Sequence, residues 1–204
     1  MGKHQFFLIM VLLMLLAGCR SERAGWSTPA PEEYVTALEA YEQIRPTMLA
    51  WHGDTVVIGI GSLGGTPPPE MRPDSSGRSP RWGFDVYFPS AGKRTSIDWT
   101  RGEITIGIDG SPGYEVSMPG GAEGLPLGTM IDSNDAMGIA LKNGADLDWI
   151  LLQINIDRYD SATDRYLPPS WGLTFANPED VSQERRVIID AVTGEVLRND
   201  FAGL

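Results

Sequence analysis

Cysteine is nearly absent: the 204 residues contain one, Cys19, beside two histidines, His4 and His52. A lone cysteine excludes an internal disulfide, so the fold must be held by hydrophobic burial. Zinc sites draw several ligands from His and Cys, and this supply is too thin for one. A Ser-His-Asp triad would have to use His52, which sits in Trp51-His52-Gly53-Asp54 and reads as an exposed turn residue. Basic charge is scarce as well. Sixteen Lys and Arg face 27 Asp and Glu, a net charge of −11, which argues against nucleic acid and against a basic membrane-binding patch. No metal, no cofactor and no nucleic-acid partner are expected.

Long apolar runs are missing too, with one exception at Phe6–Ala17. That run is shorter than the roughly 20 residues a spanning helix needs. Lys3 and His4 precede it and Leu16-Ala17-Gly18-Cys19 closes it, the layout of a secretory signal. Cysteine directly after the small residues resembles the lipobox of bacterial lipoproteins. The resemblance implies that residues 1–18 are removed, that Cys19 is lipidated, and that the lipid bilayer is a partner through this anchor. Two or more acyl chains give stable anchoring. N-myristoylation fits less well, because Phe6 stands where that motif expects Ser or Thr. The expected address is the bacterial cell envelope, extracytoplasmic. Arg20 is not the aspartate associated with inner-membrane retention, which favours the outer membrane in a diderm.

What remains divides into two similar halves. Residues 19–31, mostly polar and carrying Pro29 and Pro31, read as a tether. From Glu32 a helical pattern begins, with Tyr34, Leu38, Tyr41 and Ile44 at three- and four-residue steps and Pro46 as its end or kink. Four alternating runs follow: Val56, Ile58, Ile60; Trp82, Phe84, Val86, Phe88; Thr95, Ile97, Trp99; and Ile104, Ile106, Ile108. Period-two alternation predicts antiparallel strands with one buried face. The second half repeats the order, with a helix capped by Asp132-Ser133-Asn134 and stopped at Gly144. Its runs are Ile150, Leu152, Ile154, Ile156; then Trp171, Leu173, Phe175; then Val187, Ile189, Ala191; then Val196.

Three anchors occur in the same order in both halves. Trp82-Gly83-Phe84 answers Trp171-Gly172-Leu173, Val56-Val57-Ile58 answers Ile150-Leu151-Leu152, and Ile97-Asp98 through Gly102-Glu103-Ile104 answers Ile189-Asp190 through Gly194-Glu195-Val196. These are read as structural positions. Asp98 and Asp190 would accept turn N–H groups, Gly102 and Gly194 would supply positive φ, and Trp82 and Trp171 would fill the space between sheet and helix. The expected class is α+β, two tandem helix-on-antiparallel-sheet modules. They span 32–110 and 129–204, joined by a Gly/Pro linker at 111–128.

The second half, with Ser170-Trp171-Gly172-Leu173-Thr174-Phe175 and Asp190-Ala191-Val192-Thr193-Gly194, resembles the PepSY domain over about Thr129–Arg198. The first half is similar but more divergent, with Trp99 in place of the motif's alanine and Arg101 in place of its threonine. The resemblance implies a helix packed on a small antiparallel sheet and a binding or regulatory role outside the cytoplasm. PepSY modules occur in propeptides of secreted metalloproteases, so a protein or peptidase partner is implied. No catalytic residues carry over.

Other motifs are set aside. Gly59-Ile60-Gly61-Ser62-Leu63-Gly64 matches a dinucleotide fingerprint, but Pro67-Pro68-Pro69 follows where that fold needs a helix. Its glycines are read as loosening a strand end. Asp157, Asp160 and Asp164 lack the ligand spacing of a calcium loop. The loop from Gly64 to Arg81, with Pro67, Pro68, Pro69, Pro73 and Pro80, reads as an exposed polyproline-like excursion or a disordered insertion. The function expected is a membrane-anchored extracytoplasmic binding or regulatory lipoprotein. It would not be an enzyme, and its surfaces of interest would be the exposed sheet faces and the Pro-rich loop. The alternatives are a hydrolase using paired carboxylates, though no pair can be placed in one cleft from sequence and substitution of Asp98 and Asp190 would separate catalysis from turn capping, or a structural envelope lipoprotein.

Overall fold

The computed structural model describes residues 34–62, 67–107, 114–115, 124–160 and 165–202, without the side chains of 114–115, 157–160 and 165–167. Cys19, the signal and the tether lie outside the described residues. The chain forms α1 (Ala37–Trp51), β1 (Val56–Gly61), a 3₁₀ turn (Pro69–Met71), β2 (Arg81–Phe88), β3 (Lys93–Thr100), β4 (Glu103–Ile106) and β5 (Tyr114–Glu115). Then come α2 (Ser133–Lys142), β6 (Ile150–Asp160), β7 (Arg165–Ala176), β8 (Glu184–Asp190) and β9 (Val196–Asn199). The class is α+β. Every strand pair is antiparallel, and the sheet runs β4-β3-β2-β1-β6-β7-β8-β9, with β5 beside β3. The order of helix then four strands occurs twice, and the two sets meet at their first strands, where Ile60 lies opposite Ile156.

α1 starts later than its periodicity suggests. Thr36 and Glu39 form a capping box: the Thr36 hydroxyl accepts from the Glu39 N–H, and the Glu39 carboxylate accepts from the Thr36 N–H. This fixes the start at Ala37 instead of Glu32. Pro46 does not end the helix, which runs on to Trp51. Pro46 and Glu42 are both exposed, so the carbonyl that Pro46 cannot bond faces water, and the buried stripe Ala37, Ala40, Ile44, Met48 continues past it. α2 is N-capped by Asp132, as its sequence predicts, and buries Ala136, Met137 and Ala140.

Both helices cover one face of the sheet. Their stripes share one core with Trp82, Phe84, Ile97 and Trp99 from one half and Ile154, Trp171, Leu173 and Phe175 from the other. Fully burying each such side chain is worth about 1.5–3 kcal/mol. The tryptophans also keep their polar edges bonded. Trp82 Nε1 donates to the Val35 carbonyl at 3.0 Å and Trp171 Nε1 to the Ile131 carbonyl at 3.0 Å. Each bond ties a strand to the residues leading into a helix.

The first strand of each half departs from simple alternation. A register shift between Val57 and Gly59 turns Val57 and Ile60, in place of Val56, Ile58 and Ile60, toward the core partners Val86 and Phe84. A matching shift between Leu151 and Gln153 turns Leu151 and Ile154 inward. One inserted residue exchanges the two faces of a strand beyond it.

The halves are joined in both layers. In the sheet, Ser62 continues the β1–β6 seam, its N–H donating to the Ile154 carbonyl at 2.8 Å and its hydroxyl accepting from the Ile154 N–H at 3.0 Å. In the helix layer the two N-termini meet. Asp132 Oδ1 accepts from Ser133 N–H at 2.7 Å and from Leu38 N–H of the other helix at 3.0 Å, while the Ser133 hydroxyl accepts from Ala37 N–H at 3.1 Å. One carboxylate thus caps two helices whose positive ends would otherwise repel.

The Pro-rich loop is a packed element in its described part, 67–80, and not an exposed excursion. Pro67, Pro73, Gly77, Ser79 and Pro80 are buried, and Ser79 pairs with Val35 as a β-bridge. Asp74 Oδ1 accepts from Ser76 N–H and Arg78 N–H, closing a turn. Arg78 then reaches back to the Glu39 carboxylate at 2.7 Å and to the Tyr34 carbonyl at 3.0 Å. Within 111–128, Tyr114–Glu115 pairs with β3, and Leu125 N–H donates to the Val57 carbonyl at 2.7 Å.

Candidate functional site

Alternation that sends Trp82, Phe84 and Val86 toward the helices sends Arg81, Gly83 and Asp85 to the opposite face, which no described helix covers. Strand pairing sets a row across that face: Asp98, Gly83, Gly61, Asn155, Gly172, Ile188. Three of the six are glycine. A Cβ on Gly83 would stand 3.0 Å from Asp98 Oδ1, and one on Gly172 would stand 3.0 Å from Asn155 Oδ1. In each half a polar side chain from the neighbouring strand leans over the glycine that follows the buried tryptophan. Glycine within a strand marks close approach of other groups, and here it lowers the floor of the face.

Two depressions result, each of about 240 Å³. The first lies over Gly59, Gly61 and Gly83, walled by Asp85, Ser96, Gln153 and Asn155. The second lies over Gly172, walled by Ser170, Thr174, Arg186 and Ile188, with Gln153 and Asn155 as the shared partition. Charged groups stand around them in pairs. Arg94 meets Asp85 at 2.6 Å, Arg81 meets Asp98 at 2.9 Å, and Arg186 meets Glu184 at 3.2 Å. All are partly open to solvent, where such pairs are worth about 0–1 kcal/mol.

The two aspartates read as turn residues do different things. Asp190 accepts from Val192 N–H at 2.9 Å and Thr193 N–H at 2.7 Å, and these bonds, Thr193 first, hold its carboxyl below the usual range. Asp98 caps no turn; its carboxylate belongs to Arg81. The reason is local. β3 runs on to Thr100, and Arg101 and Gly102, at φ 49° and 88°, close a two-residue hairpin between Thr100 and Glu103. Ser170 occupies the position corresponding to Arg81 in the second half, so no arginine draws Asp190 away. Gly194 has φ 74°, as its turn demands.

Asp98 and Asp190 cannot act as paired carboxylates. They stand on β3 and β8, five strand spacings apart, or about 24 Å at the usual spacing, against roughly 5–9.5 Å in glycosidases. His52 caps the end of α1, half-buried, its ring 4.5 Å from Phe88. Gly59 and Gly61 do not loosen a strand end. They sit in β1, paired on both sides, and form the floor of the first depression. Among the described residues no group of His, Cys, Asp and Glu could hold a metal, and no described helix is long and apolar enough to cross a membrane. The side chains of Asp157 and Asp160, and all of Asp164, lie outside the described residues.

Gln153 and Asn155 were not singled out by sequence reasoning. Their signal was present: the polar partners between Leu152, Ile154 and Ile156, in the strand that faces the glycines of β1. Comparison with family models, curated proteins and solved structures finds no match to this chain.

Proposed function

We propose that the chain is an extracytoplasmic, lipid-anchored binding or regulatory protein made of two PepSY-like modules, with the sheet face that no described helix covers as the binding surface. The observation that carries this reading is the asymmetry of the sheet. One face is spent on both helices; the other is floored by glycine and walled by Ser, Gln and Asn at its centre. A polar, side-chain-poor surface of this kind suits a partner that binds and leaves, since non-obligate interfaces are no more apolar than ordinary protein surface. The lipobox supports anchoring through Cys19, and the PepSY resemblance makes a secreted peptidase the first partner to try.

Two measurements test the reading. The full chain expressed in a bacterium should incorporate labelled palmitate, and Cys19→Ser should abolish the label. Purified secreted metallo- and serine peptidases should be inhibited by the wild-type chain and less by Ser96→Tyr, which fills the first depression. A chain without lipid, together with unchanged peptidase rates at every ratio tested, would defeat the proposal.

A further inference from the structure

We infer that the two depressions form a bipartite socket for a protein loop that delivers a cationic side chain into the first and a carboxylate into the second. The inference rests on the binding role proposed for this face and names the chemistry of the occupant.

Size sets the class. Each depression, at about 240 Å³, falls below the roughly 300–1,000 Å³ of small-molecule sites. Each suits one large side chain. Phe84, the one aromatic among the described lining residues, is fully buried in the core on the other face and offers no stacking platform for a sugar, and the glycine floor lets a partner's main chain come close. A protruding loop meets these demands.

Charge sets the pattern. Among the described side chains, Asp85 is the only ionisable one lining the first depression and Arg186 the only one lining the second. Both ion pairs that engage them are partly exposed and can exchange partners. An incoming cation shares Asp85 with Arg94, and an incoming carboxylate displaces Glu184 from Arg186. The uncharged partition of Gln153 and Asn155 separates the two ends and can hydrogen-bond the loop's main chain between them. The first depression centres between β2 and β1 and the second on β7, about 12 Å apart at the usual strand spacing. An extended segment covers that distance in three to four residues, at roughly 3.3 Å each. The occupant therefore carries a Lys or Arg and an Asp or Glu about three or four residues apart, running across the strands.

The test uses disulfide-closed random peptide loops displayed on phage and selected on the full chain. Enriched loops should carry the cation–acid spacing and lose about tenfold in affinity on Ser96→Tyr. On Arg186→Glu, at an exposed position and with the fold checked by circular dichroism, they should lose binding and regain it when the loop's acid is exchanged for lysine. Loops that depend on Ser96 but show neither the charge pattern nor the exchange overturn the inference and leave the docking face standing. Loops indifferent to both substitutions overturn the inference and the docking face together.

Discussion

Gly77 offers the sharpest test of how the Pro-rich loop holds the molecule together. It has φ +80°, and a Cβ there would stand 2.5 Å from the Ser133 carbonyl oxygen and 2.9 Å from Met137 Cβ. Gly77→Ala therefore incurs two costs. The left-handed backbone costs about 1–2 kcal/mol for a residue with a Cβ. The overlap adds about 1–3 kcal/mol, because the carbonyl belongs to the first turn of α2 and cannot yield without disturbing the junction of Asp132 with α1. Gly92 is the control. Its φ is +61° and nothing lies within 4 Å of its virtual Cβ, so Gly92→Ala carries the backbone cost alone. Urea unfolding followed by tryptophan fluorescence, with a slope of about 2 kcal/mol per M, should lower the midpoint by about 1–2.5 M for Gly77→Ala. The expected shift for Gly92→Ala is about 0.5–1 M. Equal shifts for the two variants would refute the packing of this loop against α2.

Three further outcomes follow from the same geometry. Asp132→Ala removes the cap of α2 and strands the Leu38 N–H, so it should cost about 2–3 kcal/mol in urea unfolding, more than Thr36→Ala at about 1 kcal/mol; equal losses would mean the carboxylate serves one helix only. Asp190 has a depressed folded pKa, so its contribution is fully present above the unfolded value near 3.9 and fades as pH falls through the folded one. The stability gap between wild type and Asp190→Ala should hold at neutral pH and close in the acid range, and a gap that widens on acidification would contradict the turn bonds. Trp82→Phe and Trp171→Phe should each cost about 1–3 kcal/mol for a lost indole bond and residual cavity, and a marked inequality between them would argue against equivalent anchoring in the two halves.

Much of the architecture was legible along the chain. Alternation at Trp82–Phe88 and Trp171–Phe175 identifies strands with one buried face, because side chains on a strand point to opposite sides in turn. The start of α2 was legible at Asp132 because capping is a short-range interaction. Where two local signals compete, only one of them sets the structure. Glu32 and Pro31 resemble a helix start, yet the reciprocal bonds of Thr36 and Glu39 fix it at Ala37. Bulges at Val57 and Leu151 were hidden because an inserted residue between apolar neighbours leaves the hydrophobic pattern nearly unchanged. The Pro-rich loop misled for another reason: its order comes from contacts with Val35, Glu39 and Ser133, residues distant in the chain.

The candidate site divides in the same way. The sequence by itself determined two helices, alternating strands, an acidic and disulfide-free composition, and glycines directly after the two core tryptophans. All of these depend on the properties of single residues or on neighbours within a turn or strand. Only the tertiary structure decided that the first strands of the two halves pair with each other. That pairing brings Gly61 and Gly83 beside Asn155 and Gly172, and it sets Asp85 and Arg186 in separate depressions on one continuous face. Register between strands nearly a hundred residues apart is a property of the closed sheet and leaves no pattern in either strand alone.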